Sequence, residues 1–317
     1  MPDRLMLLDT ASLYFRAFYG VPDSIRRADG TPVNAVRGLL DMIARLVTDF
    51  EPTHLVACWD DDWRPHWRVE LIPSYKAHRV EVVVPGGPDV EEVPDPLEAQ
   101  VPMIREALSL LGIPVVGVEA HEADDVIGTL ATGAGMPVDV VTGDRDLFQL
   151  VDDDAAVRVI YTARGMSRLE LVDDAWVVAK YGIEPSQYAD FATLRGDTSD
   201  GLPGVAGIGE KTAAGLLGEY GSLDAMLAVA SGDSDAADAA PRMSATMRAK
   251  LAAAHDYLAV APTVVNVVRT LDLPSAEELG ARLAPVAGEP RSTLESLADE
   301  WNLGGAVPRV LAALDRV

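Results

Sequence analysis

Four short segments concentrate carboxylates at places where a turn of the backbone could aim them at one point. Glu122, Asp124 and Asp125 stand at the head of an amphipathic stretch. Asp144 and Asp146 follow an apolar run, Asp197 and Asp200 lie beside glycines, and Asp9 and Asp60 each end an apolar run of their own. Acids in a first helical turn complement the dipole by ~0.3–1 kcal/mol each. Three within four residues exceed what a cap requires, and they repel one another unless a cation screens them. The set of nine contains no histidine or cysteine, so its donors are hard oxygens, suited to Mg²⁺ or Mn²⁺ rather than zinc. Nine acids exceed one octahedral shell that keeps its waters. Two ions ~3.5–4 Å apart fit better, an arrangement that serves in-line displacement at phosphorus. Two plainer readings stand beside this one: separate caps and turns, or a structural calcium site, the latter weakened by the absence of an EF-hand loop pattern.

For the acids to meet, the runs that precede them must lie side by side. Residues 4–9 and 53–60 read as buried strands ending in acids, 115–118 and 138–142 as two more, and 157–161 as a fifth. Between them, 34–49 places Val36, Leu39, Leu40, Ile43, Leu46 and Val47 on one helical face. Residues 98–111 are amphipathic and stopped by Gly112 and Pro114, and 121–131 reads as a helix with an acidic first turn. The alternation predicts an α/β fold, a mostly parallel sheet flanked by helices, with its site beyond the carboxyl ends of the strands. Beyond about residue 180 the strand patterns stop. Helical patterns follow at 185–194, 210–219, 222–230, 244–258 and 307–314, with a small-residue, acidic loop at 231–241 that reads as mobile. The expected division is an α/β core over 1–180, a helical region over 181–258, and a segment over 259–317 packing back on the core.

Composition sets bounds on function. The chain of 317 residues carries 26 Lys and Arg against 50 Asp and Glu, a formal net charge of −24. A basic domain is the usual footprint of a nucleic-acid binder, so charge alone argues against DNA and for an acidic, soluble surface. The single cysteine, Cys58, excludes an internal disulfide and a four-cysteine zinc site and points to a reducing, cytosolic setting. It lies within an apolar strand, a poor place for a nucleophile. The apolar run Leu5-Met6-Leu7-Leu8 stops far short of the ~20 residues a bilayer requires, so no membrane partner is expected.

Two segments weaken the case that net charge makes against DNA. Residues 204–212, Gly-Val-Ala-Gly-Ile-Gly-Glu-Lys-Thr, fail the phosphate-loop pattern because Glu210 separates Gly209 from Lys211. They suit a helix–hairpin–helix instead, in which Gly204, Gly207 and Gly209 let backbone approach a phosphate and the next helix offers free N–H groups beside Lys211 and Thr212. Such contacts use dipoles and position nucleic acid without reading its sequence. A glycine-rich turn between packed helices is the plainer alternative. Residues 62–79 carry Arg64, Arg68, Lys76 and Arg79 against only Asp62 and Glu70, with Trp63, Trp67 and Tyr75 interleaved. Aromatics beside cations stack bases and hold phosphates, although a surface helix with buried tryptophans would read the same. Residues 81–98 then bring six acids, no Lys or Arg and several prolines, and read as a flexible segment spanning an opening.

Taken with the stretches LLDTASLYFRAFYG, ACWDDDWRPHWR, IPSYKAHR, HEADDVIGTLA, TGDRDLFQL and LRGDTSDGLPGVAGIGEKTAAGLL, the chain resembles the 5′–3′ exonuclease and flap endonuclease family, most closely the bacterial 5′-nuclease domain at the front of DNA polymerase I. The resemblance runs nearly end to end. It implies a PIN-like core with a helical arch or gateway over about 62–98 and a helix–three-turn–helix over about 197–220. The nine acids Asp9, Asp60, Glu122, Asp124, Asp125, Asp144, Asp146, Asp197 and Asp200 would be metal ligands or their hydrogen-bonding partners. Lys76 and Arg79 would touch the scissile phosphate from the gateway, Arg16 would approach the substrate backbone, and Tyr75 would stack on a terminal base. The hairpin would bind duplex DNA with a potassium ion on its backbone carbonyls. Three departures stand out: Gly201 where Asn is usual, Phe15 where Tyr is common, and the extra acids Asp61 and Asp62 beside Asp60.

The expected activity is a Mg²⁺- or Mn²⁺-dependent 5′-nuclease that cuts DNA at 5′ flaps, nicks, gaps and 5′ ends in replication and repair. It would be freestanding, cytoplasmic and nucleoid-associated, a monomer, working with a separate DNA polymerase. A ribonuclease with a related carboxylate site and a non-catalytic junction-binding protein are the rival readings.

Overall fold

The structure is a computed structural model that describes residues 3–84, 89–232 and 243–317. Apart from Ser231 and Gly232, the loop at 231–241 lies outside the described residues. A six-stranded sheet forms from β1 (Leu5–Asp9), β2 (His54–Cys58), β5 (Val115–Val116), β6 (Val138–Thr142), β7 (Val157–Tyr161) and β8 (Glu170–Val172), in the order β5-β2-β1-β6-β7-β8. A separate ribbon pairs β3 (Val80–Val82) with β4 (Val90–Glu91). Pairing in the large sheet is parallel except at β7–β8, as the alternating patterns predict.

Both faces of the sheet are apolar because both are covered. Leu5, Leu7, Val56, Cys58, Val138 and Val140 face one core, while Met6, Leu8, Leu55, Ala57 and Val141 face the other. The second core is closed by α1 (Thr10–Gly20), α2 (Asn34–Phe50) and α5 (Val101–Leu110), the first by α6 (Ala123–Ala131). Burial pushes the Cys58 thiol well above its ordinary range, which leaves it no role as a nucleophile.

Around the sheet lie α3 (His66–Leu71), α4 (Asp95–Glu98), α7 (Asp174–Tyr181), α8 (Tyr188–Arg195), α9 (Glu210–Tyr220), α10 (Leu223–Ser231), α11 (Ala245–Ala253), α12 (His255–Val265), α13 (Gly288–Glu300) and α14 (Ala306–Leu314). The helix expected over 244–258 is divided at Ala254 into α11 and α12. Within the segment at 81–98, residues 81–82 of β3 and 90–91 of β4 form the ribbon and 95–98 form α4, while 85–88 lie outside the described residues. Residues 281–283 run beside β2, with the Leu55 amide donating to Ala281 and the Leu283 amide to Thr53. Among the described residues, no helix is long and apolar enough to cross a membrane.

Candidate active site

Chain order reverses across β1, which has β2 on one side and β6 on the other. Such switch points open a crevice at the carboxyl ends of the strands. Asp9 ends β1 there and caps α1, accepting the Ser12 amide at 3.2 Å, while Thr142 at the end of β6 donates to its other oxygen at 2.6 Å. Thr142 Oγ1 also accepts the amide of Asp144 at 2.8 Å. Asp60, past β2, accepts the Ala123 amide at 2.8 Å, so the first turn of α6 is drawn to the same opening. Glu122 caps that helix in a reciprocal box with Asp125.

The result is a cavity of about 320 Å³ lined by Asp9, Asp60, Glu122, Asp124 and Asp144, with Lys76 and Arg79 on the same wall and with Glu91 of β4, which a reading of the sequence alone does not single out. Phe15 and Trp63 supply aromatic wall. Crowding is evident in the acids. Burial, then Asp60, pushes Asp9 up to about 7, against the hydrogen bonds from Thr142 and Ser12. Burial raises Asp60, and burial with Asp9 and Asp144 raises Asp124 well above the usual carboxylate range. Asp200 is lifted to about 6, chiefly by burial and against the pull of Lys76. Asp146 is raised by burial and by Asp144, and its Oδ1 is buried with no hydrogen-bond partner.

An orphaned carboxylate oxygen and acids crowded into an all-oxygen set fit divalent cations, which favour such donors. As the side chains stand, no group of three or more His, Cys, Asp or Glu among the described residues converges closely enough to hold an ion. The reason is visible at Glu122, whose one oxygen is taken by the Lys76 ammonium and the other by Arg68 at 2.7 Å and the Tyr75 hydroxyl at 2.7 Å. Burial alone would discharge Lys76, but Glu122 and its neighbours outweigh it and hold the ammonium well above its ordinary value. The gateway's own cations partly neutralise the acids.

The raised acids carry a consequence for stability. The native cluster keeps protons up to about pH 6–7 that an unfolded chain releases near pH 4, so without divalent cations its contribution to stability falls as pH rises between those limits. Cations bind the deprotonated form. Adding Mg²⁺ should therefore raise the melting temperature more near pH 7 than near pH 5; thermal scans in chelator and in Mg²⁺ test this, and an increment independent of pH would refute it.

Two of the expected acids stand as partners behind the cavity wall rather than in it, and one expectation, for Tyr75, needs correction. Asp125 does not face the cavity: Arg68 grips both its oxygens at 2.9 and 2.7 Å, and the Val268 amide donates at 2.8 Å. Asp197 stands behind the cavity wall, accepting from Ser199 in its own turn and from Arg195 at 3.1 Å, with Arg145 of the wall 3.6 Å away. Tyr75 is not displayed to a base: its ring is buried and its hydroxyl donates to Glu122. Asp146 and Asp200 adjoin the cavity through residues that line it: the Asp146 amide donates to Asp144 at 3.0 Å, and Arg79 donates to Asp200 at 3.2 Å. Arg16 lies beside Gly143, with its Nε buried and unpartnered. The extra acids have protein partners, as Asp62 accepts the Arg64 amide and Asp61 lies 3.5 Å from Arg105.

Gly207, Gly209, Lys211 and Thr212 are exposed at the start of α9, and the amides of Gly207 and Gly209 have no partner among the described residues. Gly204 serves packing instead. At φ +65° its β-carbon would lie 2.5 Å from the amide nitrogen of Gly196. Three further residues escape a reading of the sequence alone. Arg68 reads there as one cation of a basic window, although its place on the short helix α3 between Trp67 and Leu71 hints at a buried face. Arg64 holds the gateway from within, its Nε donating to the Tyr75 carbonyl at 2.6 Å. Lys250, from α11, donates to the Gly207 carbonyl at 2.8 Å, and no local pattern links residues so far apart.

Acids gathered at a sheet's switch point with basic side chains among them fit a phosphodiester-cutting class of protein. The chain belongs to the 5′–3′ exonuclease family: residues 4–182 match its N-terminal resolvase-like domain and 183–285 its C-terminal SAM fold. It is 58% identical over 309 residues to a 5′–3′ exonuclease of Streptomyces coelicolor, covering 98% of this chain and 99% of that one. It is 46% identical over 227 residues to DNA polymerase I of Mycobacterium bovis, covering 70% of this chain and 24% of that one. The T5 D15 protein co-crystallised with metal ions shares the fold at a TM-score of 0.63 and 17% identity, covering 98% of this chain and 99% of that one.

Proposed function

We propose that this protein is a structure-selective 5′-nuclease that hydrolyses DNA at 5′ flaps, nicks, gaps and 5′ ends. The observation that carries the reading is the cavity in which six carboxylates, Glu91 among them, stand with Lys76 and Arg79. Asp9, Asp60, Glu122, Asp124 and Asp144 would hold Mg²⁺ or Mn²⁺, two ions or more, with Asp146 and Asp200 adjoining. When bound there, such cations polarise a phosphoryl oxygen and make water a nucleophile at neutral pH.

The chain's own residues supply the rest. Lys76 and Arg79 exchange their carboxylates for phosphate oxygens and stabilise the charge that develops there. Arg16, beside Gly143, takes a neighbouring phosphate. A terminal nucleotide must unpair to descend to the acids, at a cost of a few kcal/mol, and the Phe15 ring offers it a face. The hairpin holds the duplex through the amides of Gly207 and Gly209 with Lys211 and Thr212. A potassium ion would rest on hairpin carbonyls other than that of Gly207, which Lys250 occupies. In this reading 1–180 is the nuclease core, 181–258 the duplex-binding region and 259–317 a closing segment. The enzyme is a monomer that acts in the cytoplasm on nucleoid DNA made by a separate polymerase.

The test is a 5′-labelled flap incubated with Mg²⁺, with Mn²⁺ and with chelator. Metal-dependent cuts near the junction are expected. Tight flap binding without cleavage would instead favour a junction-binding protein and move the assay to RNA. Lys211→Ala should weaken duplex binding with little change in the cleavage rate of bound DNA, and should reduce the salt dependence of binding by about one phosphate contact. Titration of labelled duplex across salt concentrations measures it, and an unchanged affinity would sink the assignment.

A further inference from the structure

The turn that carries Lys76 does not hang freely over the cavity. Its backbone rests on the turn that opens the hairpin: the Lys76 amide donates to the Asp200 carbonyl at 2.9 Å, and Arg79 Nη2 donates to the Ser199 carbonyl at 2.9 Å and to Asp200 Oδ1 at 3.2 Å. Lys76 itself sits at φ +48°, a conformation that side-chain-bearing residues adopt only when held. The contact is made at Gly201, where φ is +70°. A β-carbon there would overlap the Ser74 carbonyl oxygen and lie 2.9 Å from the carbonyl carbon. Both partners are backbone, so a rotamer change cannot relieve the overlap. On the other side, the 197–202 turn is closed by a reciprocal pair of backbone bonds between Asp197 and Leu202, at 3.0 and 2.8 Å.

We propose that Gly201 is a positioning residue for the reaction: its missing side chain is the seat on which the Ser74–Lys76 backbone docks, and this seat sets where the Lys76 ammonium stands over the acids. The inference rests on the nuclease reading for the role of Lys76. At Gly201 the seating is a contact of backbone with backbone, and the Arg79 side chain bridges the same two turns beside it. Because the same turn leads into the hairpin, the duplex-holding element and the cation over the cavity are registered to one another through one residue without a side chain.

Amide hydrogen exchange on the wild-type protein tests the seat directly. The Lys76 amide should be protected to within about tenfold of the Leu202 amide, as members of one cooperative unit are. Exchange of Lys76 at the free-peptide rate beside a protected Leu202 would overturn the proposal, whatever the protein's activity. The role is tested by Gly201→Ala, with Gly112→Ala as the control for backbone strain, since Gly112 has φ +69° and open space where a β-carbon would go. Gly201→Ala should lower kcat on a flap by on the order of 10–100-fold with KM little changed, as misplacement of a reacting group does, whereas Gly112→Ala should leave kcat unaltered. In a Lys76→Ala background, Gly201→Ala should add no further loss, because it acts through Lys76. Losses that multiply in the double variant, or an unchanged kcat in Gly201→Ala, would overturn the positioning role. A wild type inert on every 5′-end substrate would refute the nuclease reading and leave the exchange comparison to decide the seat; exchange also decides if Gly201→Ala does not fold.

Discussion

Asp124→Asn should lower flap cleavage by more than about 100-fold, above the 10–100-fold that outer partners of a metal site command, while flap binding in chelator is retained. Asp124 lines the cavity, and burial together with Asp9 and Asp144 holds its proton well above the usual range. Substitution by Asn removes negative charge that a divalent cation needs and also relieves repulsion among the acids, so the variant should melt no lower than wild type. Single-turnover cleavage and fluorescence anisotropy with a labelled flap make the measurement. A rate within about tenfold of wild type would remove Asp124 from the metal-holding set. Asp125→Asn, which the sequence alone recommends equally, is a different experiment: it disturbs the buried grip of Arg68 and the Val268 amide, and its loss of activity would report folding as well as chemistry.

The second large effect belongs to Arg68. It is 2% exposed and holds Glu122 and Asp125 at once, while its Nε donates to the Val264 carbonyl at 3.2 Å. One side chain thus ties α3 of the gateway to the acidic turn of α6 and to the end of α12. Removing one member of a buried charge network leaves the others uncompensated, at about 3–5 kcal/mol. Arg68→Met should therefore cost about that much in urea unfolding, a large share of the 5–15 kcal/mol typical of a domain. Adding Asp125→Asn to Arg68→Met should restore part of it, because the stranded charge goes with the substitution. A loss below about 1 kcal/mol would mean that water reaches the pair and the network is not a buried one.

Much of this layout is legible in the sequence because strands ending in acids announce themselves twice, by an apolar run and by its abrupt stop. Asp9, Asp60 and Asp144 do meet at the carboxyl edge of the sheet, as that pattern requires. The helix α1 escapes notice because it starts at Thr10 with no break after β1, and Leu13, Phe15, Ala17 and Phe18 give little polar contrast to mark a face. Helix α3 hides behind Pro65 and a mixture of aromatics and cations. The β3–β4 ribbon carries prolines and acids around it, which read as irregular chain. For the site, residue type outran geometry. Tyr75, Asp125 and Asp197 carry the right chemistry for a surface role, yet each is turned inward by a partner that the local pattern does not announce. For Tyr75 and Asp125, as for Lys250 with Gly207, that partner lies far away in sequence, and its placement is tertiary.

The long amphipathic face of α2 is closed by α14: Val36, Leu39, Leu40 and Ile43 share one buried cluster with Val307, Val310, Leu311 and Leu314. About 270 residues separate the two halves of that contact. During synthesis at ≈ 5–20 residues per second, α2 emerges with its apolar face uncovered and waits on the order of 15–50 s for the segment that covers it. The acids on β1 and β6 can be gathered earlier, but the layer behind them cannot be sealed until α14 leaves the ribosome. Assembly of this nuclease is timed by α14, and a nascent chain stalled short of it would present a greasy groove for chaperones to hold.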